Sequence, residues 1–195
     1  MDHSKEDFLQ ICLADERCQI AVVMELCRKF LRQHPRHGPG WLQYGMAQAC
    51  LAHYAAAEKA IRKAIKLCPD KSLPIAYSQM GHLLKAQGYF QQAAGWYGKA
   101  LKARPDDAAY HIFAGSNAFQ WGRLKQAEAH YRNALLCPSG CRDEAYFNLG
   151  GILLGRRKYA ESIECYREAL KIDPKYKIAK ERLEDVELAL LMLNS

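Results

Sequence analysis

Hydrophobic and polar residues recur along this chain with the period of an α-helix. Near the C-terminus, apolar residues follow one another at steps of three and four: Tyr176, Ala179, Leu183, Val186, Leu190 and Leu193. Around Ile61 and Ile65, basic residues fill the opposite positions: Lys59, Arg62, Lys63 and Lys66. This pattern predicts amphipathic helices that bury one face and expose the other to solvent.

Prolines and turn signals divide the helical pattern into four similar segments. Each segment closes at a proline, which lacks the backbone N–H that a continuing helix needs. The prolines are Pro69, Pro105, Pro138 and Pro174. A second break lies within each segment, near Tyr54, Gly88, Gly122 and Arg157-Lys158. Each segment is therefore predicted to be two helices joined by a turn.

Small residues repeat along the four segments with identical steps of 36, 34 and 35 residues. The three series are Gly45, Gly81, Gly115 and Gly150; Ala57, Ala93, Ala127 and Ser162; and Ala64, Ala100, Ala134 and Ala169. We expect them where the two helices of a segment cross closely, with large residues such as Ile61 and Tyr97 filling the space alongside. The common steps indicate an internal repeat.

These segments resemble tetratricopeptide repeats, whose 34-residue pattern runs aromatic, Leu-Gly, aromatic, then Ala, aromatic and Pro. The fourth segment matches best, with Tyr146-Phe147-Asn148-Leu149-Gly150 followed by Tyr159, Tyr166, Ala169 and Pro174. The third departs, since His111 and Ala114 stand where an aromatic residue and a leucine are usual. The resemblance implies an all-α fold, a right-handed α-solenoid superhelix of antiparallel helix pairs.

We expect one continuous domain made of six parts. They are a degenerate N-terminal helix pair or cap over 1–37, four repeats over 38–73, 74–107, 108–142 and 143–174, and a C-terminal capping helix over 175–195. The first pair is degenerate because Val23 and Phe30 stand where small residues are expected. Leu188, Leu191 and Met192 either pack under the last repeat or form a self-association patch that would give a homo-oligomer.

In the family, the first helix of each pair lines an inner groove that binds peptide segments. The resemblance implies that the groove here is lined by Leu42, Gln43, Met46, Ile75, Gln79, His82, Ile112, Phe113, Ser116, Phe119, Phe147 and Asn148. The charged clamp by which one subfamily holds chaperone C-termini is missing, and only Asn148 remains of the asparagine ladder of another. The partner implied is a peptide segment of another protein with apolar anchors or acidic flanks. Phe113 and Phe119 either anchor that peptide or pack between repeats.

The formal net charge of +7 favours an acidic partner. Nucleic acid is not expected, because the basic residues fall mostly on second helices and loops, including Arg156, Arg157 and Lys158. The first residues, MDHSKEDFLQ, do not form a secretory signal, and no apolar run is long enough for a membrane span. We therefore expect a cytoplasmic protein whose eight scattered cysteines are reduced thiols.

Candidate chemistry is sparse. The stretch GGILLGRR has glycines spaced nearly as in a phosphate loop, but it lies within a predicted helix and lacks the terminal Lys and Ser or Thr. His34 with His37, and Cys137 with Cys141, have no evident further ligands for a metal. No catalytic motif is present. We predict a non-catalytic adaptor or assembly factor without metal or cofactor. The alternatives are a self-assembling scaffold and an RNA-binding repeat protein.

Overall fold

The structure, a computed structural model, describes residues 3–138 and 140–194. These residues form 11 α-helices and one short 3₁₀ turn, Asp70–Ser72, and no β-strand occurs among them. The helices are α1 (His3–Glu16), α2 (Ile20–Gln33), α3 (Gly38–Cys50), α4 (Tyr54–Leu67), α5 (Leu73–Ala86), α6 (Phe90–Ala103), α7 (Ala108–Gln120), α8 (Leu124–Leu136), α9 (Arg142–Gly155), α10 (Tyr159–Ile172) and α11 (Lys177–Asn194). The predicted all-α fold of helix pairs is confirmed.

Every helix pair turns through one residue in the left-handed region of backbone space. These residues are Cys18, Ala52, Gly88, Gly122 and Arg157, with φ of 55°, 57°, 80°, 76° and 60°. In each turn, the N–H of the next residue donates to the carbonyl five positions earlier, as from Tyr89 to Leu84 at 2.9 Å. This bond satisfies a carbonyl that the helix end would leave unpaired. The N-terminal pair uses the same turn as the four clear repeats.

The repeated glycines let the second helix of each pair pack a large side chain directly against the first. A Cβ on Gly81, Gly115 or Gly150 would stand 2.7, 2.7 or 2.8 Å from the ring of Tyr97, Tyr131 or Tyr166. At Gly45 the contact is Cγ1 of Ile61, at 2.7 Å. The other two series of small residues, which are alanines except for one serine, are buried throughout: Ala57, Ala64, Ala93, Ala100, Ala127, Ala134, Ser162 and Ala169. The predicted close crossing of small residues is confirmed.

The chain divides into two compact units, residues 1–103 and 104–195, here called the N-terminal unit and the C-terminal unit. In the N-terminal unit, successive helices pack from α1 to α6. Val23 and Phe30, the large residues of the degenerate pair, are buried in its core together with Ile11 and Cys27. The predicted limits of the repeats, and their union in one continuous domain, stay predictions.

In the C-terminal unit, successive helices pack from α7 to α11. The last helix buries Ala179 and Val186, and Val186 joins a core cluster with Tyr166 and Ile163. Leu188, Leu191 and Met192 are exposed by 55%, 69% and 68%, so they do not pack under the last repeat. None of the described helices combines the length and the apolar character that crossing a membrane requires.

Candidate functional site

Each unit contains an open pocket between the first helices of two successive pairs. The pocket of the N-terminal unit, the N-pocket, lies between α3 and α5 and has a volume of about 270 Å³. It is lined by Met46, Ala49, Cys50, Tyr54, Ile61, Gln79, His82, Leu83 and Ala86. The pocket of the C-terminal unit, the C-pocket, has a volume of about 260 Å³. It is lined by Phe119, Tyr131, Phe147, Asn148, Gly151, Ile152, Leu154, Tyr166 and Arg182.

The two pockets occupy the same place in the repeat. Gln79 and Asn148 each stand two residues before a repeat glycine, Gly81 or Gly150. Leu83 and Ile152 each stand two residues after it. The second-helix residue that packs on the preceding repeat glycine also lines each pocket, as Ile61 in the N-pocket and Tyr131 in the C-pocket. The pockets are therefore a product of the repeat itself.

The N-pocket carries a hydrogen-bonded imidazole. His82 Nδ1 lies 2.9 Å from the hydroxyl of Tyr97, whose ring packs against Gly81. Burial, with a smaller contribution from Lys85, lowers the pKa of His82 to about 4. Burial also raises the pKa of Tyr97 well above its ordinary value. Both side chains are therefore neutral at pH 7, and His82 gives the N-pocket a polar but uncharged wall.

The C-pocket is more aromatic and has a cation at its rim. Phe119 is 52% exposed. Phe147 packs its ring against those of Tyr166 and Tyr176, with centroids 5.8 and 5.0 Å apart. Arg182 reaches the pocket from α11, and its guanidinium lies 3.7 Å from the carboxylate of Asp185. An apolar anchor with an acidic neighbour matches this combination of rings and positive charge.

Two of the residues predicted to line the groove are buried, so the prediction is wrong for them. Leu42 is 7% exposed and Ile112 is 1% exposed. Each lies three residues before a repeat glycine, at a register where Ser78 of the second repeat is also buried. Ile112 packs in the core cluster that contains Tyr131 and Leu149. Both aliphatic side chains are therefore buried, whereas Phe147 at the same register of the fourth repeat lines the C-pocket.

The other predicted residues divide between the pockets and the surface around them. Six line a pocket: Met46, Gln79, His82, Phe119, Phe147 and Asn148. Four line neither pocket: Gln43, Ile75, Phe113 and Ser116. Ile75 is 44% exposed, whereas Phe113 is half-buried with its ring edge-on to Tyr110, centroids 6.2 Å apart. Tyr110 belongs to the same helix as Phe113, so this contact does not show packing between repeats, and both alternatives for Phe113 and Phe119 stay predictions.

Five pocket residues escaped the sequence prediction because they lie outside the first helices. Four come from second helices and one, Arg182, comes from α11; the four are Tyr54, Ile61, Tyr131 and Tyr166. Ile61, Tyr131 and Tyr166 had a usable signal, because with Tyr97 they follow the same steps as the repeat glycines. Arg182 had none, since nothing in the helical pattern shows which side chain of α11 reaches the preceding pair.

The paired histidines and cysteines have structural contacts. His37 Nδ1 accepts the backbone N–H of Gly40 at 3.0 Å and so caps α3, and burial lowers the pKa of its imidazole. The ring of His34 packs on Phe30, with centroids 4.7 Å apart. Cys137 is buried while Cys141 is exposed, and burial raises the pKa of both thiols. Across residues 3–138 and 140–194, no group of three or more potential ligands could hold a metal ion.

Comparison with known proteins gives a consistent set of similarities. Residues 39–71, 78–140 and 143–176 each match the tetratricopeptide repeat family. The chain is 29% identical over 146 residues to the mouse cell division cycle protein 16 homolog, covering 71% of this chain and 23% of that protein. It is 28% identical over 125 residues to human tetratricopeptide repeat protein 12, covering 64% of this chain and 18% of that protein. The chain thus spans less than a quarter of the length of these relatives.

Solved structures share the fold at low identity. The Cut9-Hcn1 hetero-tetramer of APC/C superposes with a TM-score of 0.77 at 18% identity, covering 95% of this chain and 36% of that chain. TTC0263, a tetratricopeptide repeat protein of Thermus thermophilus, gives a TM-score of 0.70 at 18% identity, covering 95% of this chain and 99% of that chain. YrrB gives 0.63 at 14% identity, covering 89% of this chain and 88% of that chain. With its repeating helix pairs, packing glycines and three matched segments, the chain belongs to the tetratricopeptide repeat family.

Proposed function

We propose that the chain is a non-catalytic protein-interaction module that holds a segment of a partner protein through its inter-repeat pockets. The observation that carries the proposal is the recurrence of an open, mainly apolar pocket at the same register in both units. Each pocket of about 260 or 270 Å³ offers space for one large side chain of a bound segment. Anchoring side chains in such pockets supply most of the affinity at protein interfaces.

The C-pocket is the stronger anchor site of the two. Its exposed Phe119, together with Phe147 and Leu154, gives a partner's apolar side chain aromatic and aliphatic surface to bury. Arg182 at the rim favours an acidic residue beside that anchor. The proposed ligand is therefore a linear segment with an aromatic or large aliphatic residue next to Asp or Glu.

The imidazole of the N-pocket gives little support to acid–base chemistry. A general base works best with a pKa near the operating pH. His82 has a pKa of about 4 and is occupied by the hydroxyl of Tyr97. The imidazole therefore fits a binding surface better than a catalytic centre.

The similar proteins support an interaction role by their names. The superposed Cut9-Hcn1 structure is a hetero-tetramer, and YrrB is described as having an unusual peptide-binding site. At 18% and 14% identity the likeness concerns the fold, so the role itself is the proposal for this chain.

The proposal is tested by selecting peptides from a random phage-displayed library on the immobilised full chain. Affinities of the selected synthetic peptides are then measured by fluorescence polarisation. Phe119→Glu should weaken binding at least about tenfold, because losing an anchor contact typically costs about 2 kcal/mol or more. Leu124→Glu is the matched control, since Leu124 is 45% exposed in the same unit but lies outside the C-pocket. Absence of enriched peptides, or equal losses in the two variants, would refute the proposal.

A second candidate function is self-association through α11. Leu188 and Leu191 are exposed by 55% and 69% on this helix, which leaves apolar surface that a second copy could cover. Light scattering across a range of protein concentrations tests the idea. A mass that rises with concentration and returns to that of a monomer in Leu191→Glu supports self-association, and a constant monomer mass excludes it.

A further inference from the structure

A third pocket in the N-terminal unit has a composition unlike the two inter-repeat pockets. It lies between α2 and α3, has a volume of about 200 Å³, and is lined by Arg28, Leu31, Arg32, Trp41 and Tyr44. Trp41 and Tyr44 project from nearly the opposite face of α3 to Met46 and Cys50 of the N-pocket, given 100° of rotation per residue. A ligand here would therefore bind independently of the groove, and the inference does not rest on the proposed function.

The positive charges of this basic–aromatic pocket converge on one place. Arg28 and Arg32 are four residues apart on α2, so their side chains share a helix face. Lys63 of α4 places its Nζ 3.7 Å from the centroid of the Trp41 ring, which adds a third cation at the aromatic wall. The acidic group beside them is Glu25, whose carboxylate lies 3.6 Å from the Arg28 guanidinium and whose side chain is 73% exposed. The local balance is therefore positive.

The aromatic side chains hold this arrangement in place. The indole Nε1–H of Trp41 donates to the carbonyl of Pro35 at 2.9 Å, which fixes the ring. The rings of Trp41 and Tyr44 meet edge to face, with centroids 6.1 Å apart. The Arg28 guanidinium is restrained by its ion pair with Glu25, and interaction with Tyr44 raises its pKa. A cationic group oriented in this way loses less side-chain entropy on binding an anion than a mobile surface arginine does.

We propose that the pocket of Arg28, Arg32, Trp41 and Tyr44 binds a phosphorylated side chain of a partner protein. Guanidinium groups match the oxygens of a phosphoryl group with paired hydrogen bonds. A phosphoryl group carries close to two negative charges at neutral pH, which suits two arginines and a nearby lysine better than a lone carboxylate does. The aromatic wall and Leu31 receive the carbon part of the modified side chain.

A nucleic acid fits this site less well than a phosphopeptide. Binding to a nucleic acid backbone needs a run of cations that neutralises several successive phosphates. Here the cations surround one small pocket, and the exposed Glu25 beside it would repel the next phosphate of a strand. One doubly charged group on an otherwise neutral segment meets the cations without that repulsion.

The test uses NMR spectroscopy of the full chain labelled with ¹⁵N. It follows the indole N–H signals of the three tryptophans. Trp41→Phe identifies the Trp41 signal. The probes are blocked pentapeptides Gly-Gly-X-Gly-Gly in which X is phosphotyrosine, phosphoserine, tyrosine or glutamate. A phosphorylated probe should shift the Trp41 signal to saturation, and the tyrosine and glutamate probes should bind at least about tenfold more weakly.

Substitutions decide whether the arginines make the site. Arg32→Gln and Arg28→Gln should each weaken phosphopeptide binding about tenfold, as expected for the loss of a charge-assisted hydrogen bond. Lys29→Gln removes the same charge from the same helix at a residue that lines a different pocket, and should leave affinity within about twofold. All these residues are exposed, and circular dichroism checks that the variants stay folded.

Three results would overturn the proposal. The first is a Trp41 signal that does not saturate with either phosphopeptide by about 10 mM, since such weak binding is not specific recognition. The second is an equal loss of affinity in Lys29→Gln and Arg32→Gln, which would mean general charge attraction. The third is a mixed-sequence DNA oligonucleotide that shifts the Trp41 signal at lower concentration than the phosphopeptides, which would assign the site to nucleic acid.

Discussion

The N-pocket and the C-pocket stand at the same register of the repeat, yet they differ in chemistry. One residue after the repeat glycine, the N-pocket has His82, which is hydrogen-bonded to the hydroxyl of Tyr97. The C-pocket has Gly151 at this position. Four residues after the preceding repeat glycine, the N-pocket has Ala49 and the C-pocket has Phe119. The packing of the helix pairs sets where a pocket forms, and one or two flanking residues set the chemistry of its walls.

The largest effect is expected where the two units are alike. Gly81→Leu and Gly115→Leu should each lower the free energy of unfolding by about 1–3 kcal/mol, because the new side chain would overpack against Tyr97 or Tyr131. Urea unfolding followed by circular dichroism measures the loss. Gly95→Ala is the control: its Cβ would meet no atom within 4 Å, so it should raise stability by up to about 1 kcal/mol. Unchanged stability in Gly115→Leu would contradict the shared packing.

The steric role of these glycines is also why the fold could be predicted from the sequence. Each of these helix crossings has room for a hydrogen atom only, so a glycine recurs at every crossing. The four glycines at steps of 36, 34 and 35 therefore identify the helix pairs. The turns within the helix pairs are harder to recognise from the sequence. Gly88 and Gly122 mark two of them, but Cys18, Ala52 and Arg157 take the same left-handed conformation without glycine.

The pocket residues were harder to predict, because groove and core alternate within less than one helical turn. Leu42 and Ile112 belong to the predicted groove but are buried, whereas Phe147 at the same register of the fourth repeat lines the C-pocket. Family analogy assigns faces by position and does not show which side chain a neighbouring helix covers. Arg182 shows the complementary limit, since its place at the C-pocket depends on how α11 packs on α10.

The next largest effect is a pH dependence of stability that arises from His82 of the N-pocket and has no counterpart at Gly151 of the C-pocket. Because burial lowers the pKa of His82 to about 4, the folded state binds this proton less readily than the unfolded chain does, whose imidazole has a pKa of about 6.5. The contribution of neutral His82 to stability is therefore fully present above pH 6.5 and is lost as the pH falls toward 4. Between pH 7 and 5, this residue should lower the free energy of unfolding by about 1–2 kcal/mol.

His82→Asn isolates this contribution, since an amide can still bond to the hydroxyl of Tyr97 but does not titrate in this range. Urea unfolding at pH 7 and pH 5 should therefore show a smaller loss for the variant than for the natural chain. Other histidines, including His111 and His130, whose burial also lowers their pKa, contribute equally to both proteins and cancel. Identical pH dependence in the two proteins would mean that His82 is not the buried neutral group described here.

A smaller effect is expected from the turns. Gly88 adopts φ of 80° without strain, while Arg157 adopts φ of 60° at the equivalent turn of the fourth repeat. Arg157→Gly should raise the free energy of unfolding by about 0.5–1 kcal/mol, because relief of left-handed strain exceeds the entropy lost by glycine. Gly88→Ala should lower it by about 1 kcal/mol. Thermal or urea unfolding measures both, and a destabilised Arg157→Gly would contradict the strain.

The smallest effect concerns a carboxylate at the same register in each unit. Glu58 pairs with Arg62 one turn later on its own helix, at 2.7 Å. Glu128 pairs in the same way with Arg132 at 2.9 Å, and its second oxygen also accepts from Arg156 at the end of α9. The Glu128 side chain is only 15% exposed, compared with 37% for Glu58. The pair in the C-terminal unit is therefore better shielded and links two repeats.

Glu58→Ala should lower the free energy of unfolding by no more than about 0.5 kcal/mol, the usual range for an exposed pair within one helix. Glu128→Ala should lower it by about 0.5 kcal/mol more, because it also breaks the contact with Arg156. In 1 M salt the two losses should converge, since screening weakens both pairs. A double-mutant cycle with Arg156→Ala assigns the difference, and a coupling energy of zero would mean that this carboxylate stabilises its own helix and does not link the two repeats.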